Sequence, residues 1–527
     1  MKNSKKYFDI HAPVFYPSAG LILVFIILVL WIGGPVEGIF TDVRSWIMEQ
    51  VGWLFILTVN ILLVVVLYFA FGKFGKLRLG GEGSRPEFSR FGWFSMLFSA
   101  GMGIGLLFFS VAEPMANFVS PPVAVGDMAG KTHNALVYTY LHWGLHAWGI
   151  YALIGLALAF FAFNKKLPLA IRSVFFPLLG KKIYGPFGDV VDVLSVVATL
   201  FGLAASLGFG AQQIASGLHY RFGTPNDVWM QVGLIGGITL AATISVVLGL
   251  DKGIRVLSEL NIKLGAIFLT LMLLLGPTFF LMEGFIQTVG GYVQEIVGLG
   301  TWTDVYSNGE QDRDTLFYWA WWISWSPFVG LFIARVSKGR TVREFVLGVL
   351  LVPTLLTFLW ISVFGGSALF LEINGIGSVA RAVENDISTA LFAMLKEFPL
   401  DFITGLVGIV LVTSFFVTSS DSGSLVIDNI TSGGKLDAPV GQRIFWALSE
   451  GGVAITLLLG GGLVALQSAA LSAGLPFAII LLIICYSLYK GLLKEHRKLQ
   501  RRRLRKDRIK YRKTIKRIIF LSKGENI

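Results

Sequence analysis

The sequence predicts an all-α membrane protein with twelve transmembrane helices, the last ten forming two five-helix units of opposite orientation (spans 3–7 and 8–12). Three observations predict it. First, 54% of the 527 residues are hydrophobic and 14% are charged, with a mean hydropathy of +0.71, far outside the range of soluble globular chains. Second, the apolar residues gather into runs long enough to cross a bilayer. Third, lysine and arginine alternate between successive connecting segments, as loops on opposite sides of a membrane require.

A hydrocarbon core of roughly 30 Å takes about 20 apolar residues at about 1.5 Å of helical rise each. Runs that meet this lie at 16–34, 53–72, 91–113, 135–163, 190–215, 228–249, 262–284, 316–336, 346–370, 402–422, 444–466 and 472–489, the last two joined by a very short connection. One set of loops carries Lys73, Lys76, Arg78, Lys165, Lys166, Arg172, Lys252, Arg335, Lys338 and Arg340; the other holds only Arg44, Lys131, Arg221, Arg313, Arg381 and Lys396. The positive side is cytoplasmic, so both termini are expected there, in a multi-pass protein of the inner (plasma) membrane. The first run is long enough to span and has no small-residue cleavage pattern after it, so it is expected to stay. The chain then divides into a tail with two helices (1–90), a first five-helix unit (91–284), a second with its preceding loop (285–489) and a basic tail (490–527).

That tail carries 16 Lys and Arg against 3 Asp and Glu, which accounts for the whole formal charge of +12. A polybasic segment just cytoplasmic of a membrane helix is drawn to anionic lipid at about 1 kcal/mol per residue. The charge is therefore no argument for a nucleic-acid partner. The single Cys485 excludes an internal disulfide.

Two spans are expected to break near mid-membrane. The third carries SAGMGIG (Ser99 to Gly105) and the eighth WISWSPF (Trp322 to Phe328). Each helical glycine costs roughly 1 kcal/mol and proline removes a backbone donor. Irregular backbone at that depth is tolerated where it lines a cavity or is buried in protein. Breaks in the first helix of each of two oppositely entering units are the pattern of an inverted-repeat transporter with its site between the halves.

Aromatic residues cluster beside these breaks. Tyr318, Trp321, Trp322, Trp325 and Phe328 share a broad face of the eighth span, and Trp143, Trp148 and Tyr151 lie close together on the fourth. Several rings around one point bind a quaternary ammonium through their quadrupoles, at about 0.5–2 kcal/mol per contact. The unwound glycines offer backbone N–H groups to an anion such as a carboxylate. Cage and glycine stretch together describe a zwitterion.

The stretches GMGIGLLFFSVAEP (Gly101 to Pro114), HWGLHAWGIY (His142 to Tyr151), FYWAWWISWSPFVGLFIARVSKGRTVREF (Phe317 to Phe345) and FFVTSSDSGS (Phe415 to Ser424) resemble the betaine/choline/carnitine transporter family, most of all its glycine betaine carriers. The resemblance covers essentially all twelve spans. It implies a secondary carrier of trimethylammonium compounds with a leucine-transporter-type ten-helix core, two peripheral N-terminal helices and a homotrimeric assembly. By position, the family's aromatic box falls on Trp143, Trp148, Tyr151 and Trp322, with Trp321 and Trp325 lining the pathway. The substrate carboxylate falls on the backbone of Gly101, Met102 and Gly103. Choline importers of the family tend to carry an acidic residue where this chain has Gly105.

The resemblance also implies sodium as coupling ion, held by Ser99, Met102 and Phe415 through their backbone and by Thr418 and Ser419. Oxygen ligands of this kind suit a hard cation. A second family sodium site matches at Thr199 and Phe328, but Leu203 stands where its other threonine belongs. No organic cofactor is implied. Osmotic regulation through the basic tail is a further expectation. Alternatives are choline, carnitine or ectoine transport, or a non-transporting sensor or channel. An enzyme is not expected, since Thr418 to Ser424 has no nucleophile-elbow pattern. Glu113, Asp192 and Asp421 are read as structural, and His142 and His146 as packing residues.

Overall fold

The computed structural model describes residues 8–101, 103–123, 126–247, 251–305, 313–435 and 439–522, and they are almost entirely helical. The chain opens with α1 (Ala12–Ile32), the short α2 (Val36–Trp46) and α3 (Gly52–Phe71). Next come α4 (Arg90–Gly101), α5 (Ile104–Val119), α6 (Met128–Trp143) and α7 (Leu145–Ala159). After the one-turn α8 (Phe176–Leu179) follow α9 (Pro186–Phe222), α10 (Val228–Val247), α11 (Asp251–Leu275) and α12 (Thr278–Gly300). The rest comprises α13 (Arg313–Val336), α14 (Val342–Ile373), α15 (Ser378–Asn385), α16 (Ala390–Lys396), α17 (Asp401–Thr431) and α18 (Val440–Ser522).

Among the described residues, nine helices are long and apolar enough to cross a membrane, and ten if the pair α11 and α12, bent by 111°, is one span. Two places separate this number from the expected twelve. The third span is α4 and α5, each shorter than a full crossing, and the last two runs lie within α18, whose backbone leaves helical geometry at Gly461 and Gly462. Here φ is +153° and +56°, values that an L side chain rarely adopts. The seventh run was expected to end near 284 with a loop beyond it. Instead α12 continues to Gly300, with Phe279, Ile286, Val293 and Val297 exposed at a spacing that keeps them on one face.

The breaks fall partly where the sequence places them. The third span does break: Gly103 is extended, with φ −141° and ψ −165°. The eighth does not, since α13 runs through Pro327 without interruption. Proline there deprives the Ile323 carbonyl of its partner, and the Ser326 hydroxyl donates to that carbonyl at 2.7 Å. An unexpected break divides the fourth span at Gly144 (φ −95°, ψ −141°). The freed Leu145 N–H donates to the Tyr292 hydroxyl of α12 at 2.9 Å, so the break leaves no orphan donor there. A Cβ at Gly144 would lie 2.7 Å from that hydroxyl and 2.5 Å from the Tyr140 carbonyl, so only glycine fits.

Close backbone approach sets α7 against α13. A Cβ at Gly330 would stand 2.2 Å from Cγ2 of Ile154, and one at Gly155 would stand 3.3 Å from the Gly330 carbonyl, the contact small residues make possible between membrane helices. That contact brings the aromatic faces of the fourth and eighth spans together. Away from them, Asp192 is buried and paired: Arg172 donates to it from its backbone (3.0 Å) and from Nε (2.5 Å). The same guanidinium reaches Asp189 at 2.9 Å, and Asp189 also meets His11 Nε2 at 2.9 Å. Asp421 accepts from Ser245 at 2.9 Å. Beyond its last apolar run α18 continues as a basic helix, touching the body through Glu495 with Lys165 and through Arg503 with Glu82.

Candidate functional site

Trp143 ends α6, Trp148 and Tyr151 stand on α7 across the Gly144 break, and Trp322 faces them from α13; all four are buried. Their rings form a continuous run. Trp148 meets Tyr151 at 5.6 Å, Tyr151 meets Trp322 at 6.4 Å, and Trp322 meets Trp143 edge-on at 4.8 Å. Successive spacings of this size let several rings lie within about 6 Å of one cation, the range over which a ring quadrupole acts. The Tyr151 hydroxyl has no hydrogen-bond partner among the described residues.

The other two tryptophans occupy different places. Trp321 stacks on Trp322 at 4.7 Å and donates from Nε1 to the Gly202 carbonyl of α9 at 3.3 Å. Trp325 lies over the break in the third span, its Cη2 3.3 Å from where a Cβ on Gly103 would be. Trp319 points away from both, buried against His146 at 5.2 Å and His142 at 5.9 Å. Gly105 is a close-approach position: a Cβ there would be 2.6 Å from Trp321 Cη2 and 3.2 Å from Trp143 Cη2. Gly101 is the last residue of α4, and Met102 lies outside the described residues.

The residues expected around a cation lie near the Gly103 break on α4 and α17. Ser419 Oγ is 4.0 Å from a Cβ built on Gly103, and Gly103 and Phe415 line one cavity of about 370 Å³ between α4, α11, α14 and α17. The Thr418 hydroxyl donates within its own helix, to the carbonyls of Ser414 (3.0 Å) and Phe415 (3.1 Å). It also accepts from Asn261 Nδ2 at 3.3 Å. Ser99 lies on α4, and its side chain is outside the described residues. Thr199 is fully buried and its hydroxyl has no partner among the described residues. Phe328 packs on Trp325 at 5.5 Å, and Trp325 reaches α9 at Gly202, three residues past Thr199. Leu203 turns instead to α17, its Cδ1 2.3 Å from a Cβ built on Gly423.

Sequence reasoning missed how firmly the box is held. Glu113 accepts from Trp143 Nε1 at 2.7 Å and meets His142 Nδ1 at 2.5 Å. Trp322 Nε1 donates to the His142 carbonyl at 2.8 Å. The signal was present: an acidic residue inside an apolar span is functional by default, and a histidine directly before a box tryptophan was within its reach.

The chain matches, over residues 13–497, the profile of the family described as BCCT, betaine/carnitine/choline family transporter. It is 46% identical over 518 residues to a glycine betaine/proline/choline transporter of Vibrio parahaemolyticus, covering 95% of this chain and 93% of that one. It is 44% identical over 501 residues to a glycine betaine transporter of Acinetobacter baylyi, covering 95% and 76%. A second Vibrio parahaemolyticus relative, a glycine betaine/proline/choline/ectoine transporter, is 47% identical over 503 residues, covering 93% and 88%.

Proposed function

The chain belongs to the betaine/carnitine/choline family of transporters, and on that premise we propose that it imports glycine betaine together with sodium. The observation that carries this reading is the run of buried rings from Trp148 through Tyr151 and Trp322 to Trp143, gathered from three helices beside the Gly103 break. A trimethylammonium group has no hydrogen to donate, so ring faces rather than oxygen acceptors are its proper surroundings. The carboxylate is assigned to the backbone N–H groups of Gly101 to Gly103. Alternating access follows from a site between two inverted units of leucine-transporter type, each moving against the other.

Gly105 favours glycine betaine over choline, because no fixed negative charge stands there to replace a substrate carboxylate. Proline and ectoine occur in the names of the relatives and are the nearest competitors. The test is uptake of labelled glycine betaine into proteoliposomes against choline, carnitine, ectoine and proline, with and without a sodium gradient. The expected result is sodium-dependent uptake displaced best by unlabelled glycine betaine. Full uptake without sodium would sink the coupling, and stronger displacement by choline would transfer the assignment to that substrate.

One sodium per substrate is proposed, held by Ser99, Met102, Phe415, Thr418 and Ser419. The approach of Ser419 to Gly103 supports it. The second set, Thr199 and Phe328, lacks a hydroxyl at Leu203, whose methyl groups pack on α17. Ser419→Ala is expected to raise the half-saturating sodium concentration about tenfold, the effect of losing roughly 1.4 kcal/mol of ligation, while maximal uptake at saturating sodium stays within about twofold by the same scale. An unchanged sodium dependence removes Ser419 from the site.

Osmotic activation through the basic part of α18 and its attraction to anionic lipid belong to the same proposal. Assembly as a homotrimer is proposed with it, on the family resemblance alone. A chain ended near Lys494 is expected to transport at a rate that no longer rises with external osmolality. A retained osmotic response in that chain excludes the tail as sensor.

A further inference from the structure

The geometry assigns to Glu113 the role of a positioning residue that holds two of the three tryptophans of the ammonium box, Trp143 and Trp322. The inference rests on the functional reading above and deepens it. An indole N–H is a donor only, and burying it unpaired costs about 1–3 kcal/mol, so Trp143 and Trp322 each present a face in the direction the acceptor permits. For Trp143 that acceptor is Oε2 of Glu113, at 2.7 Å. For Trp322 it is the backbone carbonyl of His142, at 2.8 Å. The His142 ring is itself fixed from three sides: by Oε1 of Glu113 at 2.5 Å, by the Thr315 hydroxyl at 2.5 Å, and by stacking on Tyr318 at 4.5 Å.

One carboxylate on α5 therefore orients the first tryptophan directly and the second through the residue that carries its acceptor. Glu113 is 4% exposed and both its oxygens are engaged by α6, so it serves the rings and not the substrate. Thr315 belongs to the first turn of α13. Glu113, His142 and Thr315 thus fasten three separate helices at the level of the box, where a shift of one ring relative to the other would open the cage.

Glu113→Gln and Glu113→Met separate positioning from charge and from packing. Glutamine keeps an acceptor for Trp143 and offers its amide to His142, whose ring accepts in the other tautomer. Methionine fills similar volume and offers neither. Binding of glycine betaine and of dimethylglycine is measured on the full-length protein in lipid nanodiscs, by calorimetry and by intrinsic tryptophan fluorescence. A loosened cage loses the preference for the trimethylated compound, an effect that poor folding alone does not produce. The expected result for the methionine variant is at least about a tenfold loss of glycine betaine affinity, roughly one 1.4 kcal/mol step, with discrimination against dimethylglycine collapsed and the fluorescence response reduced. The glutamine variant is expected to keep the discrimination. A methionine variant with unchanged affinity and discrimination, or a glutamine variant that loses discrimination, overturns the assignment. Should the methionine variant fail to reach the membrane, the glutamine result decides alone. An unchanged protein that binds no glycine betaine overturns the functional reading and this assignment together.

Discussion

Trp322→Leu is expected to weaken glycine betaine binding about 30-fold, which corresponds to one desolvated cation–π contact of about 2 kcal/mol. Leucine keeps the position apolar, but two things go with the indole. The quadrupole is lost from the ring that touches both Tyr151 and Trp143, and the His142 carbonyl loses its donor. Trp322→Phe divides the two, since it retains a ring face and removes the N–H. It is expected to fall between leucine and the unchanged protein, about 5-fold down, since one neutral hydrogen bond contributes about 1 kcal/mol. Equilibrium binding checks both, and near-normal affinity in the leucine variant would remove Trp322 from the site.

Gly105→Asp is expected to shift preference from glycine betaine toward choline. An aspartate there adds a fixed negative charge close to where the substrate carboxylate is assigned, so it repels glycine betaine and supplies choline with the charge it lacks. The close approach limits how this happens: the new Cβ falls 2.6 Å from Trp321 Cη2, and that ring must move for the side chain to fit. Stacking of Trp321 on Trp322 carries the displacement into the box. Glycine betaine affinity should therefore fall at least about tenfold from repulsion and ring displacement combined, a loss of about 1.4 kcal/mol. Gly105→Ala, which displaces the ring without the charge, isolates the steric part. Competition of labelled choline uptake by each compound is the measurement. A folded aspartate variant that takes up no choline would show that position 105 does not face the substrate.

How much of this was legible in the sequence depends on the kind of signal. Long apolar runs fix where helices lie, and α3, α10 and α13 begin and end within a few residues of the runs that predict them. Breaks are harder, because a residue that weakens a helix does not decide whether a neighbour repairs it. Pro327 leaves α13 intact because Ser326 supplies the missing donor. Gly144 breaks the fourth span where Tyr292, more than a hundred residues away, receives the freed N–H. Neither outcome can be read from local spacing. The aromatic residues were legible as two clusters, and the contact of α7 with α13 joins them. Glu113 was visible as an acidic residue in an apolar span, yet its importance lies in which two nitrogens it meets, and that is settled by packing alone.

The last helix has one more consequence. From Leu463 to Ser522 α18 is continuous, running through Pro476, which at about 1.5 Å per residue makes a helix roughly 90 Å long, of which about 30 Å suffices to cross the hydrocarbon. The basic end is thus a stiff lever arm fused to the final apolar run, and not a loose tether. A tilt of about 5° of the apolar run would swing the far end of a roughly 50 Å basic arm by about 4 Å, as simple geometry on the helical rise requires. The tilt of the final apolar run and the position of the charged tip are in this way two readings of a single angle.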